Sequence, residues 1–219
     1  MSWWVLNYYE TGQYVELISQ IFWVIFSITL HELAHGWAAI WQGDDTPRRL
    51  GHMTSNPMVH MGPMSLLTFA LVGFAWGLMP TDPSRYRWKR RGRIVVAGAG
   101  PAMNILLAIV TLTLAAVWIR FGPHSQPFQN NVEIFLFTGG FLNIALAIFN
   151  LLPIPPLDGS SILMGLSFRF YRFAQNPDVA RFGMFILIAI FLTPIGGLLF
   201  LASGEISASF VHAVASIFP

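Results

Sequence analysis

The stretch Thr29-Leu-His-Glu-Leu-Ala-His35 lies inside an otherwise apolar run from Val15 to about Trp41, long enough to cross a bilayer as a helix. An ionisable group at bilayer depth costs several kcal/mol by most estimates, so three within five residues require a chemical reason. A metal supplies one. His31 and His35 are four residues apart, which puts both imidazoles on one helix face about a turn apart, where they can share an ion. Glu32 stands beside them as a general base for water activated by that ion. The plainer alternative, two histidines that only hydrogen-bond to neighbouring helices, leaves Glu32 without a purpose.

Composition fixes the class. The chain has 219 residues, of which 55% are hydrophobic and 10% charged, against roughly 25% charged in soluble domains. It reads as an all-α polytopic membrane protein of about four to six transmembrane helices. The organisation expected is one domain over residues 1–219, with a core at 15–168 and a C-terminal helical segment at 182–219. No stretch is long enough for an added PDZ or CBS domain. With no cysteines, thiolate ligation is excluded. Met1 to Tyr9 lacks a basic start and a small-residue cleavage site, which argues against a removable leader. Trp3, Trp4, Tyr8 and Tyr9 read instead as an interfacial aromatic anchor.

Four segments are long enough to span: Val15 to Trp41, Ile94 to Phe121, Ile134 to Leu152 and Phe182 to Ala202. Met64 to Met79 is short, holds Gly73 and Gly77 and precedes Pro80, so it reads as a re-entrant hairpin or a short span between the first two long ones. Glu205 to Pro219 either lies along the interface or completes a helical pair with the preceding segment, broken at Pro194-Ile-Gly-Gly197. If Met64 to Met79 dips in and returns, eleven of the twelve basic residues fall on one side and Arg120 alone on the other. That side is expected to be cytoplasmic, in a cell inner or plasma membrane. The cluster from Arg85 to Arg93 is a topology and lipid-headgroup signal rather than a nucleic-acid site.

A catalytic zinc site takes three protein ligands and leaves a position for water, so two histidines need a third partner. Glu32 and Asp158 are the acidic residues that lie within or against strongly apolar segments. Asp158 is the candidate ligand, in Asn150-Leu-Leu-Pro-Ile-Pro-Pro-Leu-Asp-Gly159, where three prolines break the helix. Taken alone, Asp158 could equally cap a helix starting at Gly159.

His31-Glu-Leu-Ala-His35, Gly100-Pro-Ala-Met-Asn104 and Asn150 to Gly159 together resemble the site-2 protease family of intramembrane zinc metalloproteases, over about residues 17–168. The resemblance implies one Zn2+ per chain held by His31, His35 and Asp158. It further implies that Glu32 activates water and that Asn150 positions or polarises the scissile carbonyl. Gly100 and Pro101 would allow spans to approach closely near the site. Asn104 would be a supporting group or interhelical glue. The segment Gly51-His-Met-Thr-Ser-Asn-Pro-Met-Val-His-Met-Gly-Pro63 resembles the compact branch of that family. It departs from the branch's pattern at Gly62, where Asp is usual, and Phe74 to Pro80 lacks a lysine-proline pair. His60 is a candidate for supporting the site or positioning substrate. His52 could serve there or simply face headgroups, and His124 and His212 are assigned no role. Met53, Met58, Met61 and Met64 offer an adaptable apolar surface for substrate helices or for lipid.

The expected activity is cleavage of transmembrane helices by an intramembrane endopeptidase. The expected partners are a transmembrane-helix substrate and membrane lipid, with no nucleic acid and the oligomeric state left open. An inactive scaffold of the same fold and a metal transporter are the alternatives. The intact motif argues against the first. Polar groups gathered on one side, rather than along a path through both leaflets, argue against the second.

Overall fold

A computed structural model of the chain describes residues 4–123 and 125–218, so Trp3 and His124 lie outside the described residues. The described residues form helices and connecting loops and contain no strand. The helices are α1 (Trp4–Glu10), α2 (Tyr14–Trp41), α3 (Thr46–Arg49), α4 (Pro57–Val72), α5 (Lys89–Phe121), α6 (Phe128–Asn150), α7 (Asp158–Leu166), α8 (Phe168–Ala174), α9 (Pro177–Leu192) and α10 (Pro194–Ala215). Four of them, α2, α5, α6 and α10, are long and apolar enough to cross a membrane, which makes this an integral membrane protein.

At 33 residues, α5 is about 50 Å long, and it packs against α2, α6, α7 and α10. Its first turns are basic and Arg120 lies in its last turn, with a mainly apolar shaft between. Outward-facing Ile105, Leu106, Ile109, Val110 and Leu114 on α5, with Phe22 and Phe26 on α2, stay exposed. In water such a surface would be unfavourable; in a bilayer it is the solvent-matched face.

One expectation of span position is corrected. The apolar run Phe182 to Ala202 is not one span: the helix stops at Leu192 and restarts at Pro194, and the span-length element is Pro194–Ala215. Proline lacks the N–H that would continue the ladder and biases the residue before it to extended backbone, and Thr193 sits at φ −110°, ψ 166°. The tail thus forms a second helix beyond that break. Met64 to Met79, read as a re-entrant hairpin or a short span, takes in the later part of α4 and an irregular stretch after it. α4 starts earlier, capped by Asn56 accepting from the Met58 amide, and ends at Gly73 in the left-handed conformation (φ 76°). Within α4, Gly62 takes φ 67° and kinks the helix just before Pro63. Glycine in place of the family's usual acid is therefore accompanied by a backbone that side chains disfavour.

The chain leaves and re-enters the bundle at one end. The Arg87 amide donates to Gln42 O at 2.6 Å, the Trp88 amide to Gln42 Oε1 at 3.2 Å, and Trp41 meets Trp88 edge to face. The end of α2 and the start of α5 are therefore neighbours, and residues 43–88 begin and end at the same end of the bundle. After α4 the backbone runs without regular structure to about residue 82, tied to α4 by Leu78 N donating to His60 O and by Ser65 Oγ, which both accepts from Trp76 N and donates to Trp76 O. Such backbone is tolerated at depth only where protein covers it.

Candidate metal centre

His31, Glu32 and His35 lie in the middle of α2 and are all less than 10% exposed. Asp158 arrives from the loop after α6. Residues 151–157 form turns, and Asp158 opens α7 with Leu157, not Asp158, in the capping position and no side-chain cap bond. The capping alternative therefore fails: the carboxylate turns away from its own helix. Asp158 Oδ2 instead lies 3.1 Å from His31 Nε2 and 3.3 Å from His35 Nε2, and the two Nε2 atoms are 3.0 Å apart.

Hydrogen bonding on the far side of each ring decides what these three atoms are. His35 Nδ1 is 2.7 Å from Val96 O, a carbonyl that can only accept, so the ring donates from Nδ1 and, when neutral, carries its lone pair on Nε2. His31 Nδ1 donates in the same way to Asn104 Oδ1 at 2.6 Å. With both rings neutral, three electron-pair donors converge within 3.3 Å, and Asp158 Oδ2 has no hydrogen-bond partner. Ligands about 2.05 Å from a tetrahedral zinc would lie about 3.3 Å from one another. The site fits a zinc ion in ligand type, number and spacing, and the three residues form a group able to hold a metal.

Room for the cluster comes from α5. A Cβ on Gly100 would run into His35 Nε2 and would lie 2.5 Å from His31 Nε2 and Cε1. The glycine thus lets the α5 backbone lie directly against both imidazoles. On the other flank, a Cβ on Gly77 would fall on the Glu32 carboxyl group, so the irregular stretch after α4 covers Glu32 with bare backbone.

The remaining expected residues are placed as follows. Asn104 joins the site through His31 and also donates to Asn143 Oδ1 at 2.9 Å. Asn150 is the last residue of α6 and donates to Leu146 O one turn back, outside the metal-competent group. His60 is fully buried; its Nε2 donates to Thr54 O at 2.6 Å, its Nδ1 has no partner, and it too lies outside that group. His52 is half-buried with its ring centroid 6.2 Å from that of His60. Burial and the neighbouring His60 hold the His52 imidazole below its ordinary range. Met61 is buried, whereas Met58 and Met64 are exposed. His212 lies in the last turn of α10, away from the group. Sequence reasoning missed Gly77, Asn143 and Val96 O. A mid-span asparagine is a visible signal, but its partner is not.

Comparisons with known proteins bear on the metal that such a group would hold. The profile of peptidase family M50 matches residues 19–124 and 117–194. A protein of Bacillus subtilis (strain 168) named "Putative zinc metalloprotease YwhC" is 33% identical over 175 residues, covering 79% of this chain and 80% of the relative. "Putative zinc metalloprotease Rip2" of Mycolicibacterium smegmatis is 30% identical over 186 residues, 78% of this chain and 65% of the relative. "Zinc metalloprotease MJ0392" of Methanocaldococcus jannaschii is 25% identical over 170 residues, 74% of this chain and 40% of the relative. No solved structure matches the chain. The cofactor implied by these zinc metalloprotease relatives and by the His31, His35 and Asp158 donors is Zn2+. Matched over most of its length by the family profile, and covering four-fifths of a relative one-third identical to it, the chain belongs to peptidase family M50, the site-2 proteases.

Proposed function

We propose that the chain is an intramembrane zinc endopeptidase that cleaves transmembrane helices of other membrane proteins, with its site opening to the cytoplasm. The observation that carries this reading is the convergence of His31, His35 and Asp158 lone pairs within a span-length helix, beside a buried Glu32. When bound, zinc lowers the pKa of its water toward 7 and polarises the peptide carbonyl. Glu32 takes the proton from the attacking water and delivers it to the leaving amine. The Gly77 backbone lies directly against the Glu32 carboxyl. Asn150 ends α6 at the start of the loop that delivers Asp158, a position from which its amide can turn to the substrate carbonyl.

If Gly43 marks the interface, His35 and His31 lie about 12 to 18 Å below it at 1.5 Å per residue. A helical peptide bond is shielded because its backbone groups are paired, so a substrate must unwind before it is cut. Substrates should therefore carry helix-weakening residues in the cytoplasmic third of a single transmembrane helix. Gly and Pro weaken a helix by about 1 and 3 kcal/mol relative to Ala.

The test is cleavage in liposomes of one model helix carrying Gly-Pro at that depth and of the same helix carrying Leu-Leu. The Gly-Pro helix should be cut faster, and Glu32→Gln should lower the rate by roughly 10²–10⁴-fold while retaining zinc. Full cleavage by Glu32→Gln, or by protein stripped of metal, would contradict the proposal.

A further inference from the structure

Asn104 can support His31 only if its carbonyl oxygen, not its amide nitrogen, faces the ring, because the two ends of a side-chain amide are nearly the same size and opposite in role. Turned the other way, Asn104 would offer N–H to His31 Nδ1. The ring would then carry its proton on Nε2, the atom that has to bind metal. The structure contains a device that removes this choice. Asn104 Nδ2 donates to Asn143 Oδ1 at 2.9 Å, and Asn143 Nδ2 donates to Gly139 O at 2.8 Å. Gly139 O is a backbone carbonyl and can only accept. It therefore fixes the nitrogen end of Asn143, which fixes the oxygen end toward Asn104, which fixes the Asn104 oxygen toward His31 at 2.6 Å. Asn104 and Asn143 are 0% exposed, so no solvent competes for either amide. Asn143 Nδ2 also donates to Ser27 Oγ at 2.9 Å. A hydroxyl can turn to accept or donate, so Ser27 lies beyond the relay and does not set its direction.

We infer that Asn143 is a positioning residue for the metal centre: through Asn104 it holds His31 as the tautomer protonated on Nδ1, with Nε2 free for zinc. The inference rests on the reading of His31 as a zinc ligand. Its chemistry is that of an outer partner of a metal-bound histidine, whose loss typically lowers metal affinity 10–100-fold. His35 needs no such device, because its Nδ1 faces the Val96 carbonyl directly.

The experiment uses the full chain in detergent. Zinc affinity is measured by chelator competition, and the tautomer of His31 in the metal-free protein by long-range proton–nitrogen NMR of histidine-labelled samples, with the His31 signals assigned by their loss in His31→Gln. Metal-free wild type should show His31 protonated on Nδ1. Asn143→Ala should lower zinc affinity roughly 10–100-fold and mix the two tautomers, whereas Ser27→Ala should leave both readouts near wild type. A wild-type His31 protonated on Nε2 would overturn the inference whether or not any variant folds. So would Asn143→Ala with unchanged affinity, or an equal loss in Asn143→Ala and Ser27→Ala, which would point to packing alone. Failure of the underlying metal assignment looks different: the wild-type chain would bind zinc no better than a His31→Ala, His35→Ala double variant.

Discussion

At residue 100 the metal centre is sensitive to a single methyl group. Gly100 faces both imidazoles, whereas a Cβ on Gly98, two residues earlier on the same helix, would meet nothing within 4 Å. Gly100→Ala should therefore push the rings apart and lower the zinc content of purified protein, and Gly98→Ala should not; equal zinc in the two would mean that the rings do not meet α5 as described. Gly77→Ala makes the complementary prediction. It displaces the Glu32 carboxyl, so cleavage should fall by about 10²-fold, the typical cost of a misplacement near 1 Å, with zinc content unchanged. The roles of His31, Glu32, His35 and Asp158 could be read as hypotheses from one chain because spacing and burial cost leave little else for them to do. Asn143 could not. Its partners are 39 and 116 residues away, and a mid-span asparagine looks the same whether it supports a ligand or only joins two helices.

Among the elements, the loop from residue 73 to 88 is anchored in part by a buried carboxylate. Asp44 is 0% exposed; Oδ1 accepts from Thr46 N at 3.0 Å and Oδ2 from Asp82 N at 2.6 Å. It thereby ties the end of α2, which carries His31 and His35, to the stretch that covers Glu32. Asp44→Ala would strip both amides of their acceptor, at about 1–3 kcal/mol for each group left buried and unpaired. The thermal midpoint should drop, and an unchanged midpoint would show that water replaces the carboxylate. Asp82 adds a smaller pH-dependent contribution. Hydrogen bonds from the Ser84 hydroxyl and amide, helped by Arg85, hold its carboxyl below the ordinary carboxylate range. That contribution is present above the ordinary range and is lost as pH falls through the lowered value. The elements were unevenly legible in the sequence. The first three spans stand out by length and hydropathy, with ends displaced by a few residues. The break at Thr193 and Pro194 lies inside continuous apolar sequence, so composition suggested a span over 182–202, while Pro194-Ile-Gly-Gly197 already marked the break that makes two helices.

For the molecule as a whole, the neighbouring ends of α2 and α5 start and finish residues 43–88 at one end of the bundle, which is compatible with the proposed orientation of eleven basic residues on one side and Arg120 opposite. The proposed orientation can be read in this cysteine-free chain by single cysteines. Ser84→Cys and Asn176→Cys should react with impermeant maleimide from the cytoplasmic face, and Ser125→Cys only from the other; labelling of positions 84 and 125 from one face would contradict the orientation. The central claim is that two parts of the chain, 123 residues apart between His35 and Asp158, close on one zinc ion. X-ray absorption at the zinc edge, on full-length protein of measured metal content, tests it most directly. One zinc per chain should be found, with two imidazole nitrogens at about 2.0–2.1 Å and a carboxylate oxygen at about 2.0–2.2 Å. The same metal content and the same spectrum in a His31→Ala, His35→Ala double variant would contradict it.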